Sequence, residues 1–136
     1  MNKPKTPLVC IILLIGTLLV ALSCRKAAQP APTSIPITGT WVGTQMEANA
    51  SMSSPISFVL KSDNSFDYYS DGRLNSGAGN WQLTETVFTA SYVFRTDANS
   101  VYEYTASYDS KTGVLSNGTW YVRGSTVRGS WTMLRQ

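Results

Sequence analysis

The first thing the reactive residues say is negative: the 136-residue chain contains no histidine. Without it the commonest general base, the commonest zinc ligand and the middle member of hydrolase triads are all missing. Serines are plentiful but have no histidine to take their proton. Two carboxylate pairs could share acid and base work, Asp67 with Asp71 and Glu85 with Glu103. These residues fall on polar positions of alternating segments or in turns, where a carboxylate is ordinarily a solvated charge. Neither a P-loop nor a dinucleotide fingerprint occurs. The sequence therefore predicts no enzyme, no metal and no cofactor. The side chains suited to holding a molecule are aromatic: Trp41, Phe58, Tyr68, Trp81, Phe88, Tyr92, Tyr102 and Tyr104. Rings carrying several hydroxyls suit a small amphipathic ligand, apolar along its body with a polar point for orientation.

These rings need a scaffold, and the glycines indicate which. Every tryptophan follows a glycine by two places, in Gly39-Thr40-Trp41, Gly79-Asn80-Trp81, Gly118-Thr119-Trp120 and Gly129-Ser130-Trp131. A spacing of two puts both residues on one face of a strand, so each indole has an empty position beside it, as a tightly curved sheet requires. Alternation continues through Ile56, Phe58 and Leu60, through Phe66 and Tyr68, and through Trp81 and Leu83. It resumes at Phe88, Ala90, Tyr92 and Phe94, at Tyr102, Tyr104, Ala106 and Tyr108, and at Val127, Trp131 and Met133. Polar residues fill most of the intervening positions, the pattern of half-buried strands.

Turn residues separate the runs: Asp63-Asn64, Asp71-Gly72, Asp97-Ala98-Asn99, Lys111-Thr112-Gly113 and Arg123-Gly124. Eight strands are predicted, at 37–45, 55–62, 65–70, 78–84, 86–95, 101–109, 113–122 and 125–134. Most links are short, which makes successive strands antiparallel neighbours. An all-β, eight-stranded antiparallel up-and-down β-barrel removes both sheet edges; an open sandwich with Greek-key crossings is the alternative. Closure would bring Trp41, Trp120 and Trp131 into one sector of the wall. Side chains can fill a barrel of this size, or it can hold one small ligand, and the aromatic content leaves both open. The longest link, Met46 to Ser54, would lie over the mouth.

Ahead of the barrel the chain is of a different kind. Lys3 and Lys5 precede a nearly apolar run from Leu8 to Leu22, the pattern of a secretion signal. The run is about fifteen residues, short of the roughly 20 that span a bilayer. Ala21-Leu22-Ser23-Cys24 resembles the lipobox of bacterial lipoproteins. That resemblance implies cleavage after residue 23 and lipidation of Cys24. Segment 1–23 is then a lipoprotein signal peptide, 24–36 a lipidated cysteine with a Pro-rich linker, and 37–136 the barrel domain. Cys10 would leave with the signal, so the mature chain would have neither a free thiol nor an internal disulfide. Two or three acyl chains, at about 0.8 kcal/mol per buried methylene, would hold the protein on a membrane surface. Loss of 1–23 removes two of the eleven Lys and Arg and lowers the formal charge from +3 to +1. The remaining arginines are scattered singly, which predicts no nucleic-acid partner.

The opening Ile37-Thr38-Gly39-Thr40-Trp41 resembles the Gly-x-Trp start of the calycin barrels, which include lipocalins, fatty-acid-binding proteins and avidins. With Asn64-Ser65-Phe66 and the closing Gly129-Ser130-Trp131-Thr132-Met133-Leu134, the domain resembles the small lipocalin-like domains of Bacteroidetes lipoproteins. In lipocalins a basic residue near the last strand covers the first-strand tryptophan; here that implies Arg135 over Trp41, through a cation and ring contact. Avidins carry a biotin-binding Asn two residues after that tryptophan, where this chain has Gly43, so biotin is not expected. The resemblance implies a membrane-anchored binding protein of the bacterial cell envelope, on the outer membrane facing the periplasm. Its expected partners are the membrane, through the N-terminal lipid, and a small lipophilic ligand inside the barrel. The other reading is a solid-core barrel contacting an envelope protein or glycan.

Overall fold

A computed structural model describes residues 33–70 and 77–136. The predicted signal peptide, Cys24 and the Asp71-Gly72 turn lie outside the described residues. Eight strands follow one another: β1 (Gly39–Glu47), β2 (Ser54–Leu60), β3 (Ser65–Ser70), β4 (Gly77–Thr84), β5 (Val87–Phe94), β6 (Asp97–Asp109), β7 (Val114–Val122) and β8 (Arg128–Arg135). Each pairs antiparallel with the next, and β8 closes on β1 from Trp41↔Arg135 to Glu47↔Gly129. The result is a closed up-and-down barrel rather than a sandwich. Trp41, Trp120 and Trp131 stand on the adjacent strands β1, β7 and β8, in one sector as expected. Among the described residues no helix is long and apolar enough to cross a membrane.

Strand alternation sets the core. Residues 56, 58, 60, 66, 68, 88, 90, 92, 104, 106 and 108 all point inward and are buried. Leu83, Phe94 and Tyr102 are partly buried and pack against this core, whereas Val127 is 37 % exposed, because β8 starts at Arg128 and Val127 precedes it. Two irregularities adjust the wall. On β7 the register shifts between Leu115 and Gly118, with Asn117 in the left-handed region at φ 52°. The extra residue lets Leu115 face inward along with Gly118, Trp120 and Val122 despite opposite parity. At the start of β6 the pairing jumps from Val93↔Val101 to Phe94↔Asp97. The turn therefore falls at Arg95-Thr96, ahead of the predicted Asp97-Ala98-Asn99. Asp97 Oδ1 accepts from the Asn99 N–H at 3.1 Å, a local bond that serves a bulge as well as a turn.

The glycines also act differently from expectation. At Gly43, Gly79, Gly118 and Gly129 the space is taken by a neighbouring strand. A Cβ on Gly43 would lie 1.9 Å from the Thr132 carbonyl oxygen, and one on Gly79 would lie 1.9 Å from that of Ser91. No side chain fits at 43, so the avidin asparagine has no place here.

Backbone carbonyls plug the end of the barrel where the chain enters, here called the lower end. Trp41 Nε1 donates to the Ile37 carbonyl at 2.7 Å, and Trp81 Nε1 donates to the carbonyls of Lys61 and Ser65 at 3.1 Å. Tyr108 donates its hydroxyl to the Ile35 carbonyl, while the Ile35 N–H donates to Ser110 O at 2.7 Å. Pro36 between them has no N–H to satisfy. The chain is thus docked from Ile35 onward, two residues before the predicted boundary. Arg135 does cover this end beside Trp41, but its guanidinium donates to the Thr38 carbonyl at 2.7 and 3.1 Å rather than resting on the indole.

Candidate binding site at the upper rim

All eight aromatic residues named from the sequence enter one core, at different heights. Trp41 and Trp81 sit low, their N–H groups satisfied as above. Phe58 is the hub, with ring centroids of Phe66 at 5.2 Å, Tyr104 at 5.5 Å, Trp131 at 5.6 Å and Phe88 at 6.5 Å. Phe58, Tyr68 and Phe88 have no measurable exposure. Rings packed against rings at these separations occupy the middle of the barrel themselves.

Above them lies a layer of tyrosines. Tyr68 stacks on Tyr92 at 4.4 Å, and Tyr92 on Tyr102 at 5.0 Å. Tyr104 donates its hydroxyl to Gln45 Oε1 at 2.5 Å, and Gln45 Nε2 donates to the Tyr68 hydroxyl at 3.1 Å, a polar bridge from β6 through β1 to β3. Burial pushes the Tyr92 and Tyr104 hydroxyls well above the ordinary tyrosine range, aided by the neighbouring tyrosines. Both remain neutral hydrogen-bonding groups at any physiological pH. Tyr102, only half-buried, is raised for the same first reason.

At the upper rim a cleft of about 630 Å³ opens between the end of β1 and the β7–β8 hairpin, lined among others by Met46, Ala48, Trp120, Tyr121, Arg128 and Gly129. The rim position follows from the ladders, since Glu47↔Gly129 ends the β1–β8 pairing and Tyr121↔Arg128 ends β7–β8. Met46 and Tyr121 face outward and are 41 % and 46 % exposed, large apolar surface for a barrel exterior. Trp120 faces inward beside Tyr104, with ring centroids 6.3 Å apart. Its Nε1 is the one buried side-chain nitrogen or oxygen among the described residues without a hydrogen-bond partner.

A second, smaller groove of about 300 Å³ runs over the outer wall past Asn80, Gln82, Thr89, Ser91, Glu103 and Arg123. Glu103 accepts from the Tyr121 hydroxyl and from Arg123 Nε at 2.8 Å, and these bonds, the tyrosine's first, hold its carboxyl below the usual range. The carboxylates considered for acid–base work do not meet. Asp67 pairs with Lys61 Nζ at 2.8 Å, Asp71 lies outside the described residues, and Glu85 sits in the lower β4–β5 turn away from Glu103 on the upper wall. Among the described residues no three His, Cys, Asp or Glu side chains gather as a metal site would require.

No family model, curated protein or solved structure matches this chain. The barrel itself is consistent with the lipocalin-like resemblance. Sequence reasoning missed Trp120, Met46 and Arg128 as site residues. The signal was partly there: strand direction places Trp120 near the upper end of β7. The free N–H needed coordinates.

Proposed function

We propose that this chain is a lipid-anchored, lipocalin-like binding protein of the bacterial envelope that holds a small amphipathic molecule at its upper rim. The observation that carries the reading is the apolar cleft where Met46 and Tyr121 stay exposed above a core already filled by its own rings. A ligand gains where apolar surface is still wet, and Met46 and Tyr121 supply such surface beside this cleft. The lipobox-like Ala21-Leu22-Ser23-Cys24 supports anchoring. The described chain enters the barrel at its lower end, through Ile35, and the cleft lies at the upper end. No catalytic role is proposed.

Decanol titrated into the mature chain by calorimetry tests the binding. Saturable binding that Met46→Glu weakens by about tenfold or more, the loss expected when a charge enters an apolar contact, supports the reading. No binding, or binding indifferent to that substitution, overturns it. Mass spectrometry of the exported protein tests the anchor: acyl chains on Cys24 are expected, and an unmodified cysteine contradicts them.

The second reading, a solid barrel recognising an envelope protein or glycan, is favoured by the filled interior and by the amide and hydroxyl groups of the outer groove. Capture of envelope polysaccharide, lost in Asn80→Ala with Gln82→Ala, would select it.

A further inference from the structure

We propose that the rim ligand carries an oxyanion head, such as a carboxylate, seated between Trp120 Nε1 and the guanidinium of Arg128. This inference rests on the rim reading above and adds the chemical class of the ligand. The four indoles make the case. Trp41, Trp81 and Trp131 each donate to backbone carbonyls, the last to Thr119 O at 3.0 Å. Trp120 alone is buried with its donor unused, and it lines the cleft. Buried donors without partners are costly enough to be rare, and one that persists calls for an explanation, of which an acceptor bound from outside is one.

An indole N–H donates and never accepts. The missing partner must therefore be an acceptor, which excludes an ammonium head. Gly129 lets the strands close on the donor with no side chain between them, since a Cβ there would lie 2.5 Å from Nε1 and 2.0 Å from the Met46 carbonyl oxygen. Arg128 supplies charge at the same rim: it is the cross-strand partner of Tyr121, is exposed, and belongs to neither ion pair found among the described residues. The nearby Glu103 is already neutralised by Arg123. An anionic head reaching Nε1 would leave its apolar body against Met46 and Tyr121.

The test uses the mature chain with ¹⁵N-labelled indoles, titrated with decanoate, decanol and decyltrimethylammonium. Decanoate is expected to bind about tenfold tighter than decanol, as a charge-assisted hydrogen bond warrants, and to move the Trp120 indole proton downfield. The ammonium amphiphile should bind weakest. Trp120→Phe and Arg128→Gln should each bring decanoate close to decanol, collapsing the ratio of the two affinities measured on the same variant. The indole shift in the unsubstituted chain keeps the proposal testable even if Trp120→Phe folds poorly. Equal binding of decanoate and decanol with Trp120 unmoved overturns the oxyanion head and leaves the rim site standing. Failure of every amphiphile to bind overturns the rim site and the head together.

Discussion

Trp131 on β8 lies directly across the ladder from Gly118 on β7, so close that a Cβ on the glycine would sit 2.6 Å from indole carbons and 2.4 Å from the Trp131 carbonyl oxygen. Two rungs along, the roles reverse, with Trp120 facing Gly129. Two Gly-x-Trp dyads running antiparallel interlock, each glycine making room for the other strand's indole. This reciprocal arrangement lets two large rings enter a narrow barrel from adjacent strands.

Gly118→Ala should therefore destabilise the fold by about 2–3 kcal/mol, the range for overpacking against neighbours that cannot move away. Gly124→Ala is the control: its φ of +74° strains alanine, but nothing lies within 4 Å. It should cost about 1 kcal/mol. Denaturant unfolding of both variants checks the order, and equal losses would contradict the interlock.

The Tyr104–Gln45–Tyr68 bridge predicts non-additivity. Tyr104→Phe leaves Gln45 Oε1 without its donor and should cost about 1–3 kcal/mol. Once Gln45→Leu has removed the amide, Tyr104→Phe should cost about 1 kcal/mol less. A double-mutant cycle in urea measures the coupling; additive losses would show that the bridge contributes nothing.

Alkaline pH should unfold the barrel through Tyr92 and Tyr104. Burial, first, raises both hydroxyls in the folded state, whereas in the unfolded chain they titrate near 10. Below about pH 10 both states hold these protons and the contribution is complete; above it only the folded state does. Stability should fall by about 1.4 kcal/mol per pH unit for each tyrosine. Denaturant midpoints across this range, read with tyrosinate absorbance, should show these two rings ionising only as the chain unfolds. A flat stability profile would contradict their burial.

The lower plug predicts where the domain begins. A chain starting at residue 33 keeps the bonds at Ile35 and Ile37 and should melt like the longer mature form. One starting at 38 loses three hydrogen bonds and the packing of Ile37 on the core. That loss is about 3 kcal/mol, or roughly 10 °C or more in Tm. Identical melting of both would contradict the docking.

Period-two alternation made the barrel readable, because a strand half-buried in a curved wall repeats its inward side chains strictly: Phe88, Ala90, Tyr92 and Phe94 needed no further information. Turns closed by an Asx bond or a left-handed residue were equally visible, as at Asp63-Asn64, where Asp63 Oδ1 accepts from Ser65 N at 2.9 Å. Departures from strict period were hidden. The bulge at Asn117 uses a residue equally at home in a turn, so Leu115 could not be placed inside by parity. Asp97 stands at the start of β6 for the same reason. The rim site was hidden more deeply. The glycines of all four dyads look alike in sequence, and only barrel closure decides which indole donor lacks a carbonyl.

The decisive measurement is a ¹⁵N–¹H amide map of the mature protein titrated with decanoate. Shifts should concentrate at 46–48, 119–121 and 125–130, with the amides of Phe58, Phe66 and Phe88 unmoved. Shifts centred on those three phenylalanines, with the rim silent, would place the ligand inside the barrel and contradict a core filled by its own rings.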